Sequence, residues 1–532
     1  MQLFTLPSTS QLVGAILTAL ATWTWYGLFR LVQVRRSFRH LEPKPPHSAI
    51  FGHLGLFGAL TRAFPSNTYL HHPFIVISRK YNLPDVFYLD LWPFQPPMLV
   101  LCRPDLVAQV TTVKAWPKPA IIQQFLDLLI DRDSIFTADG AKWKYLHSVF
   151  APAFAPAQLR SMVDGMLEEV IIYYDRLVEL AQSGEEFSMD EATIALTLNV
   201  IGRAVFNTSF RTSEGKELIA EYRGLVNELI EASRNPVYKM LSSWKTRENL
   251  RRVDRAIERA LVDRFNVLKA DRASPSNSIM DLVLRQRLGV SEDIGSDKAF
   301  MDMAISNIKT FLLAGHETTA GTLGFIFMLL SKHPEIVEKA RQEHDEVFSP
   351  DLNLTREILR KRPEKLNDLA YTTAIIKETL RLFPIGSLVR ESPNGIPILY
   401  QGKELPTKDH LVFICSLAIH YNPEIFPSPS EFRPERFLSP NTIPRDAWRP
   451  FERGIRACIG QELAMMEMKM VLLLVLRTFD FEAVRAVPRK NPVATYTDLD
   501  ALLGDQVLQE MGITAKPRGG LPMRVKFAWR EL

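Results

Sequence analysis

The stretch Arg449 to Leu463, R-P-F-E-R-G-I-R-A-C-I-G-Q-E-L, constrains this chain more than any other. It places Cys458 between Gly454 and Gly460, beside Arg453 and Arg456, and runs into a helical pattern from Gln461 to about Thr478. A helix start and neighbouring guanidinium groups both favour thiolate over thiol. Glycine at positions 454 and 460 lets a large planar cofactor lie against the backbone, where a side chain would collide with it. Cysteine thiolate is a recognised axial ligand of haem iron and favours O–O cleavage. Cys458 is therefore read as a haem ligand. A zinc site needs neighbouring ligands, whereas Cys102 and Cys415 are distant in sequence and no C-x-x-C occurs. A phosphatase-type thiol needs an arginine where Ala464 stands.

The first 29 residues contain no Asp, Glu, Lys or Arg, and Leu12 to Phe29 is mainly apolar. That is about the roughly 17–25 residues a bilayer span requires. Trp23, Trp25 and Tyr26 suit an interface, and Arg30, Arg35, Arg36, Arg39 and Lys44 follow. This asymmetry puts the remaining chain on the cytosolic side. A cleaved signal peptide would carry its charges before the apolar core, not after it. The expected organisation is a tail (1–11), a transmembrane anchor (12–32), a basic, proline-rich hinge (33–49) and a large domain (50–532). Asn207 and Asn353 head formal glycosylation sequons, which stay unmodified on a cytosolic domain. Net charge is only +4 over 532 residues, with no basic tail, so nothing points to nucleic acid. Three cysteines argue for a reducing compartment.

Asp297 is a candidate N-cap for a long helix reaching about Lys332. Its middle reads F-L-L-A-G-H-E-T-T-A from Phe311 to Ala320. An acid and an alcohol inside an apolar helix are locally unfavourable, which tends to mark function. Ala314 and Gly315 would let the helix pass close over a flat cofactor. The Thr318 hydroxyl can compete for the carbonyl four residues earlier and open a groove. His316-Glu317 does not complete H-E-x-x-H, since Ala320 occupies the last position, and His316 is read as a satisfied helix histidine. Elsewhere, Phe74 to Leu91 and Met98 to Cys102 read as strands. The segments 159–183, 216–234, 247–271 and 366–383 read as helices.

At Phe451, Gly454, Arg456, Cys458 and Gly460 the chain resembles the haem-thiolate monooxygenases of the cytochrome P450 superfamily, whose loop reads F-x-x-G-x-R-x-C-x-G. The wording is most similar to microsomal, fungal members acting in secondary metabolism, and the likeness runs from about residue 40 to 532. It implies the cytochrome P450 fold, mostly α with small β-sheets, behind a single N-terminal transmembrane helix. It also implies haem b held by Cys458, with Glu317 and Thr318 relaying protons to the oxygen being activated. Trp143 and His147 match the propionate-binding W-x-x-x-R, with histidine in place of arginine; Arg390 and Arg456 are implied as further propionate contacts. Glu378, Arg381 and Arg436, in E-x-x-R and F-x-P-x-R-F settings, are implied to support the loop. The segment 115–130 would roof the pocket by this likeness, or from its own residues be a surface loop with one short helix, and Phe311, Ile385, Ser387, Leu388 and Ile513 are pocket candidates.

The implied activity inserts one oxygen atom into a small apolar substrate, such as a polyketide or terpenoid intermediate. The electrons come from NADPH through a separate reductase, since no G-x-G-x-x-G in a βαβ setting occurs. Arg449, Arg453 and Lys469 are read either as its docking surface or as a solvated face. The implied location is the endoplasmic reticulum membrane, with the domain facing the cytosol. Two alternatives are a reductase-independent peroxide isomerase or dehydratase, and a non-enzymatic haem sensor. The acid–alcohol pair argues against both.

Overall fold

The computed structural model describes residues 9–126, 129–130, 134–234, 236–273, 278–290, 293–386, 388–439, 443–484 and 503–528. The apolar N-terminal stretch forms one helix, α1 (Thr9–Ser37). Among the described residues it alone is long and apolar enough to cross a membrane, and none of its most apolar window is buried. Three of its hydroxyls are satisfied within the helix. The hydroxyls of Thr18, Thr22 and Thr24 each donate to the carbonyl four residues earlier, at 2.8 Å. A bilayer demands this, because lipid offers no partner.

Residues 33–49, read above as a hinge, make defined contacts with the domain. Val34 and Phe38 are buried. Arg35 pairs with Asp90 at 2.5 Å and donates to the carbonyls of Ile50 and Trp92 at 3.1 and 2.9 Å. His47 reaches the same Asp90 oxygen at 2.9 Å, and its ring stacks on Phe38. Gly52, at φ +57°, has no room for a side chain: a Cβ would lie 2.8 Å from Asp90 Oδ2.

The segment 74–91 is helix before it is strand: α2 covers His71–Lys80, and only Val86–Leu89 (β1) is extended. The β-branched run Ile75-Val76-Ile77 reads as a strand, but packing of Phe74 on Phe413, with ring centroids 5.0 Å apart, overrides that propensity. β2 (Met98–Leu101), β3 (Leu388–Glu391) and β4 (Leu411–Ile414) join β1 in a sheet of order β1-β2-β4-β3. β2 and β4 run parallel, Met98 opposite Leu411, and β3 is antiparallel to β4 with Arg390 opposite Val412.

Helices make up the remaining bulk: α3 (Gly140–Phe150), α4 (Val163–Ser183), α5 (Met189–Phe206), α6 (Ser213–Arg234), α7 (Pro236–Ala270), α8 (Lys298–Leu330), α9 (Ala370–Leu382) and α10 (Gln461–Val475). α8 is the buried axis, N-capped by Asp297, whose carboxylate accepts from Phe300 N at 3.1 Å. α5 packs along it, although sequence periodicity did not mark this helix. The available signal is a capping box, Ser188-x-x-Glu191, in which Ser188 Oγ accepts from Glu191 N at 3.2 Å. The short strands β5 (Glu510–Met511) and β6 (Ala515–Lys516) pair antiparallel beside α8. Mostly helical with small sheets is the observed class.

Arg35→Ala removes the guanidinium paired with the buried Asp90 carboxylate and leaves it the His47 ring at 2.9 Å. Removing one partner of a buried pair costs roughly 3–5 kcal/mol, so denaturant unfolding of the detergent-solubilised variant is expected at a clearly lower midpoint.

Candidate active site

The cysteine loop is closed by its own backbone: Cys458 N donates to Phe451 O at 2.8 Å, and Ala457 N to Gly454 O at 3.1 Å. Gly454 sits at φ +83°, and a Cβ there would be 2.6 Å from Thr111 O. Glycine is thus required by contact with the helical turn Gln109–Val113, not by closeness to a cofactor as expected above. Gly460 has an ordinary φ of −88°. A Cβ there would meet Cys458 Sγ and Phe154 Cε1 at an unstrained 3.9 Å, so its space lies on the thiol's side.

Cys458 is exposed, whereas Cys102 and Cys415 are buried side by side where β2 and β4 end. Surrounding protein nonetheless pushes the Cys458 thiol up, against the pull of the Gly460 and Gln461 amides and the charge of Lys118. The guanidinium groups expected to help point elsewhere. Arg453 pairs with Asp446 at 3.4 Å. Arg456 pairs with Asp139 at 3.3 Å, donates to Ala138 O at 2.8 Å and lies 4.8 Å over the Trp143 ring. Arg449 and Lys469 are buried, so the docking surface read from these two together with Arg453 does not form.

The loop is held from behind by a buried ion cluster. Arg381 grips Glu378 with two bonds of 2.7 Å, one turn apart on α9. Arg436 Nε donates to Glu378 Oε1 at 2.9 Å, and Arg433 N to the same oxygen at 3.1 Å. Spare guanidinium donors reach the carbonyls of His420, Pro427, Ser428, Pro429 and Glu431. Burial drops His420 to about 3, so its ring is neutral. Its Nδ1–H donates to Arg381 O at 2.9 Å, and Nε2 accepts from Arg449 N at 3.3 Å. Arg449 then binds Glu452 and donates to Thr111 Oγ1 at 2.8 Å, while Glu452 Oε2 receives Arg390 at 3.4 Å. The cluster therefore connects α9 to the cysteine loop and to β3.

The facing wall is α8. Phe311 packs on Phe150 and Phe154, with ring centroids 5.1 and 5.4 Å apart, and Phe154 also borders Gly460. Ala314, the next residue on that face, is exposed in the middle of a mostly buried helix. Thr318 Oγ1 donates to Ala314 O at 2.7 Å, as the sequence led us to expect. Gly315 serves a different contact: a Cβ there would be 2.6 Å from Ile201 of α5, so it permits helix packing. His316 is buried, bonds Leu312 O and is lowered to about 4 by burial, a satisfied neutral histidine. Burial raises Glu317 to about 7, opposed by the Lys516 charge and the Thr514 hydroxyl.

Haem b fits this arrangement on two observations. Arg390 Nε is buried without a hydrogen-bond partner. Moreover, Lys118, Arg390 and Arg456 gather beside the loop, each lowered chiefly by burial and further by a neighbouring cation, while Asp139 and, for Lys118 and Arg390, Glu452 oppose the shift. A group carrying two carboxylates would satisfy both the orphan donor and the positive excess. Trp143 and His147 share α3, their rings 5.0 Å apart. Lys118, with Nζ 3.4 Å from the Phe136 ring centroid, was not anticipated; its only sequence signal is an isolated cation in W-P-K-P. Of the pocket candidates, Ile385 is buried and its carbonyl accepts from Ala515 N at 2.9 Å, near the half-buried Ile513. Leu388 joins the separate cluster around Val412. Ser387 lies outside the described residues.

A cytochrome P450 family model matches residues 47–500. The chain is 35% identical to cytochrome P450 monooxygenase acrF of Aspergillus aculeatus over 85% of this chain and 96% of that protein. It is 31% identical to cytochrome P450 monooxygenase polC of Polytolypa hystricis, covering 88% and 86% of the two chains. With cytochrome P450 monooxygenase ptmG of Penicillium ochrochloron, identity is 32% over 94% and 92%.

Two outcomes are expected. Glu378→Gln weakens the anchor of two buried guanidinium groups at a cost of up to roughly 3–5 kcal/mol, read as a lower unfolding midpoint and lower haem content. For Glu317, the folded value of about 7 lies above its ordinary 4.5. Both states are protonated below pH 4.5, so nothing is lost there. Stability falls as pH rises through this window and levels off above about 7. Glu317→Gln should therefore exceed the parent in stability at pH 8, by up to about 3 kcal/mol, and match it at pH 4 by denaturant titration.

Proposed function

The chain belongs to the cytochrome P450 family, and on that premise we propose that it is a membrane-anchored monooxygenase fed by a separate NADPH-dependent reductase. One oxygen atom of dioxygen enters a small apolar substrate, and the other leaves as water with two electrons from NADPH and two protons. The observation that carries this reading is the pairing of an exposed thiol with an acid–alcohol helix centre: Cys458 on one wall, and Ala314, Glu317 and Thr318 on the other.

Haem b bound through Cys458 supplies the redox-active iron and the electron-rich thiolate for O–O cleavage. The remaining tasks fall to the chain. Arg390, Arg456, Trp143 and His147 would hold the propionates, with Lys118 contributing a third charge near the loop. Glu317, poised to exchange a proton near neutral pH, and the Thr318 hydroxyl would pass protons inward. Phe311, Ile385 and Ile513 supply apolar surface that would exclude water from the substrate.

α1 would hold the enzyme in the endoplasmic reticulum membrane, with Arg35, Arg36, Arg39 and Lys44 keeping the domain cytosolic. The relatives named above are fungal, and the substrate proposed is a secondary metabolite such as a polyketide or terpenoid.

The reduced, carbon-monoxide-bound protein is expected to show the red-shifted Soret band of thiolate-ligated haem, and Cys458→Ala to abolish it. Candidate metabolites can be screened by ligand-induced spectral shift. With the best of them and purified reductase, NADPH consumption should track product. Thr318→Ala should keep the band while NADPH use outruns product severalfold. Absence of reductase-dependent turnover with every ligand would refute the monooxygenase reading.

A further inference from the structure

Glu317 must be reprotonated after each proton it passes inward, and two other elements place groups behind it. Glu317, Gly321 and Gly324 lie on one face of α8, four and then three residues apart. A Cβ at Gly321 would lie 3.2 Å from Ala515 O and 3.8 Å from Lys516 Cα, and one at Gly324 would lie 2.9 Å from the Pro517 ring. These two glycines let the 515–517 segment rest directly on the helix, one turn beyond Glu317. The contact brings Thr514 Oγ1, as donor, to 3.4 Å from Glu317 Oε2. Lys516 lies close enough for its charge to act on Glu317. Its Nζ is 3.3 Å from Asp190 Oδ2, on the first turn of α5. The Lys516 side chain is 38% exposed, whereas Asp190 is nearly enclosed. Lys516 thus sets a partly exposed cation within electrostatic reach of Glu317.

We propose that Lys516, steadied by Asp190, delivers solvent protons to Glu317; this rests on Glu317 acting as the inner relay, as argued above. Glu317 gives its carboxyl proton inward, its carboxylate takes one from Lys516 Nζ, and the resulting amine takes one from water. One proton crosses and no electrons move. The other titratable groups nearby do not replace Lys516. Tyr222 on α6 donates to Lys309 O and is raised well above its usual range by burial and by Glu317. His316 is neutral and turned along α8. Glu510 acts on Asp190 and supplies no cation.

The test uses the full-length, haem-loaded protein with its reductase, following substrate-free NADPH oxidation in light and heavy water. Infrared titration of the Glu317 carboxyl, identified by its loss in Glu317→Gln, provides a readout independent of turnover. Lys516→Met should raise that midpoint by about one pH unit, slow oxidation about tenfold and enlarge the solvent isotope effect. The carbon-monoxide Soret band should stay unchanged. Lys516→Arg keeps the charge but binds its proton too tightly to transfer, so it should restore the midpoint and leave oxidation slow. Parental rate and isotope effect in Lys516→Met, beside a slow Glu317→Gln, would overturn the proposal alone. Full recovery of rate in Lys516→Arg would also overturn it, leaving Lys516 a purely electrostatic support. If Glu317→Gln turns over like the parent, the inner relay itself falls, and the proposal with it.

Discussion

The carboxylate of Glu378 is the point from which the site is built. It is completely buried, and so is Arg381. A charge in such a place survives only if every lone pair is met, and Glu378 meets that condition with Arg381, Arg436 and the Arg433 amide. The arginines then spend their remaining donors on carbonyls between His420 and Glu431. Through neutral His420 the same network fixes the backbone of Arg449, where the cysteine loop begins. What this ion cluster supplies is position: it specifies a loop that has no regular secondary structure of its own.

The helix opposite shows a second constraint, close approach. Gly315, Gly321 and Gly324 each face protein, against Ile201, Ala515 and Pro517 respectively. The small residues of α8 therefore mostly serve to bring α5 and the 515–517 segment within contact distance. The acidic and basic groups those elements carry arrive as a consequence. Ala314 alone among the small residues of the motif faces open space. Glu317 is raised to about 7 because the same packing that brings Lys516 near it also removes water.

Reading residues in sequence succeeded where the chemistry is local. The Asp297 cap, the Thr318 bond to Ala314 O and the satisfied state of His316 all depend on neighbours within one or two helical turns. It failed where the partner lies far along the chain. Arg453 and Arg456 sit beside Cys458 in sequence, yet Asp446, Asp139 and Trp143 claim them, and the cation that acts on the thiol is Lys118, some 340 positions earlier. Gly454 was assigned to the cofactor but answers to Thr111. Phe74 to Ile77 carried strand propensity, and burial against Phe413 made them helix.

The order of residues in the chain was sufficient to mark a glycine-flanked cysteine loop, an acid–alcohol helix and an apolar N-terminal helix, because each is a short run with its own local physics. Which side chains share a cavity, which cations remain to meet an anionic cofactor, and where the proton supply of Glu317 comes from followed only from packing. Those relations join segments hundreds of residues apart, through burial and ion pairs that have no periodicity to read. The loop around Cys458 specifies the chemistry; Glu378, Lys118 and Lys516 show how the folded chain surrounds and supplies it.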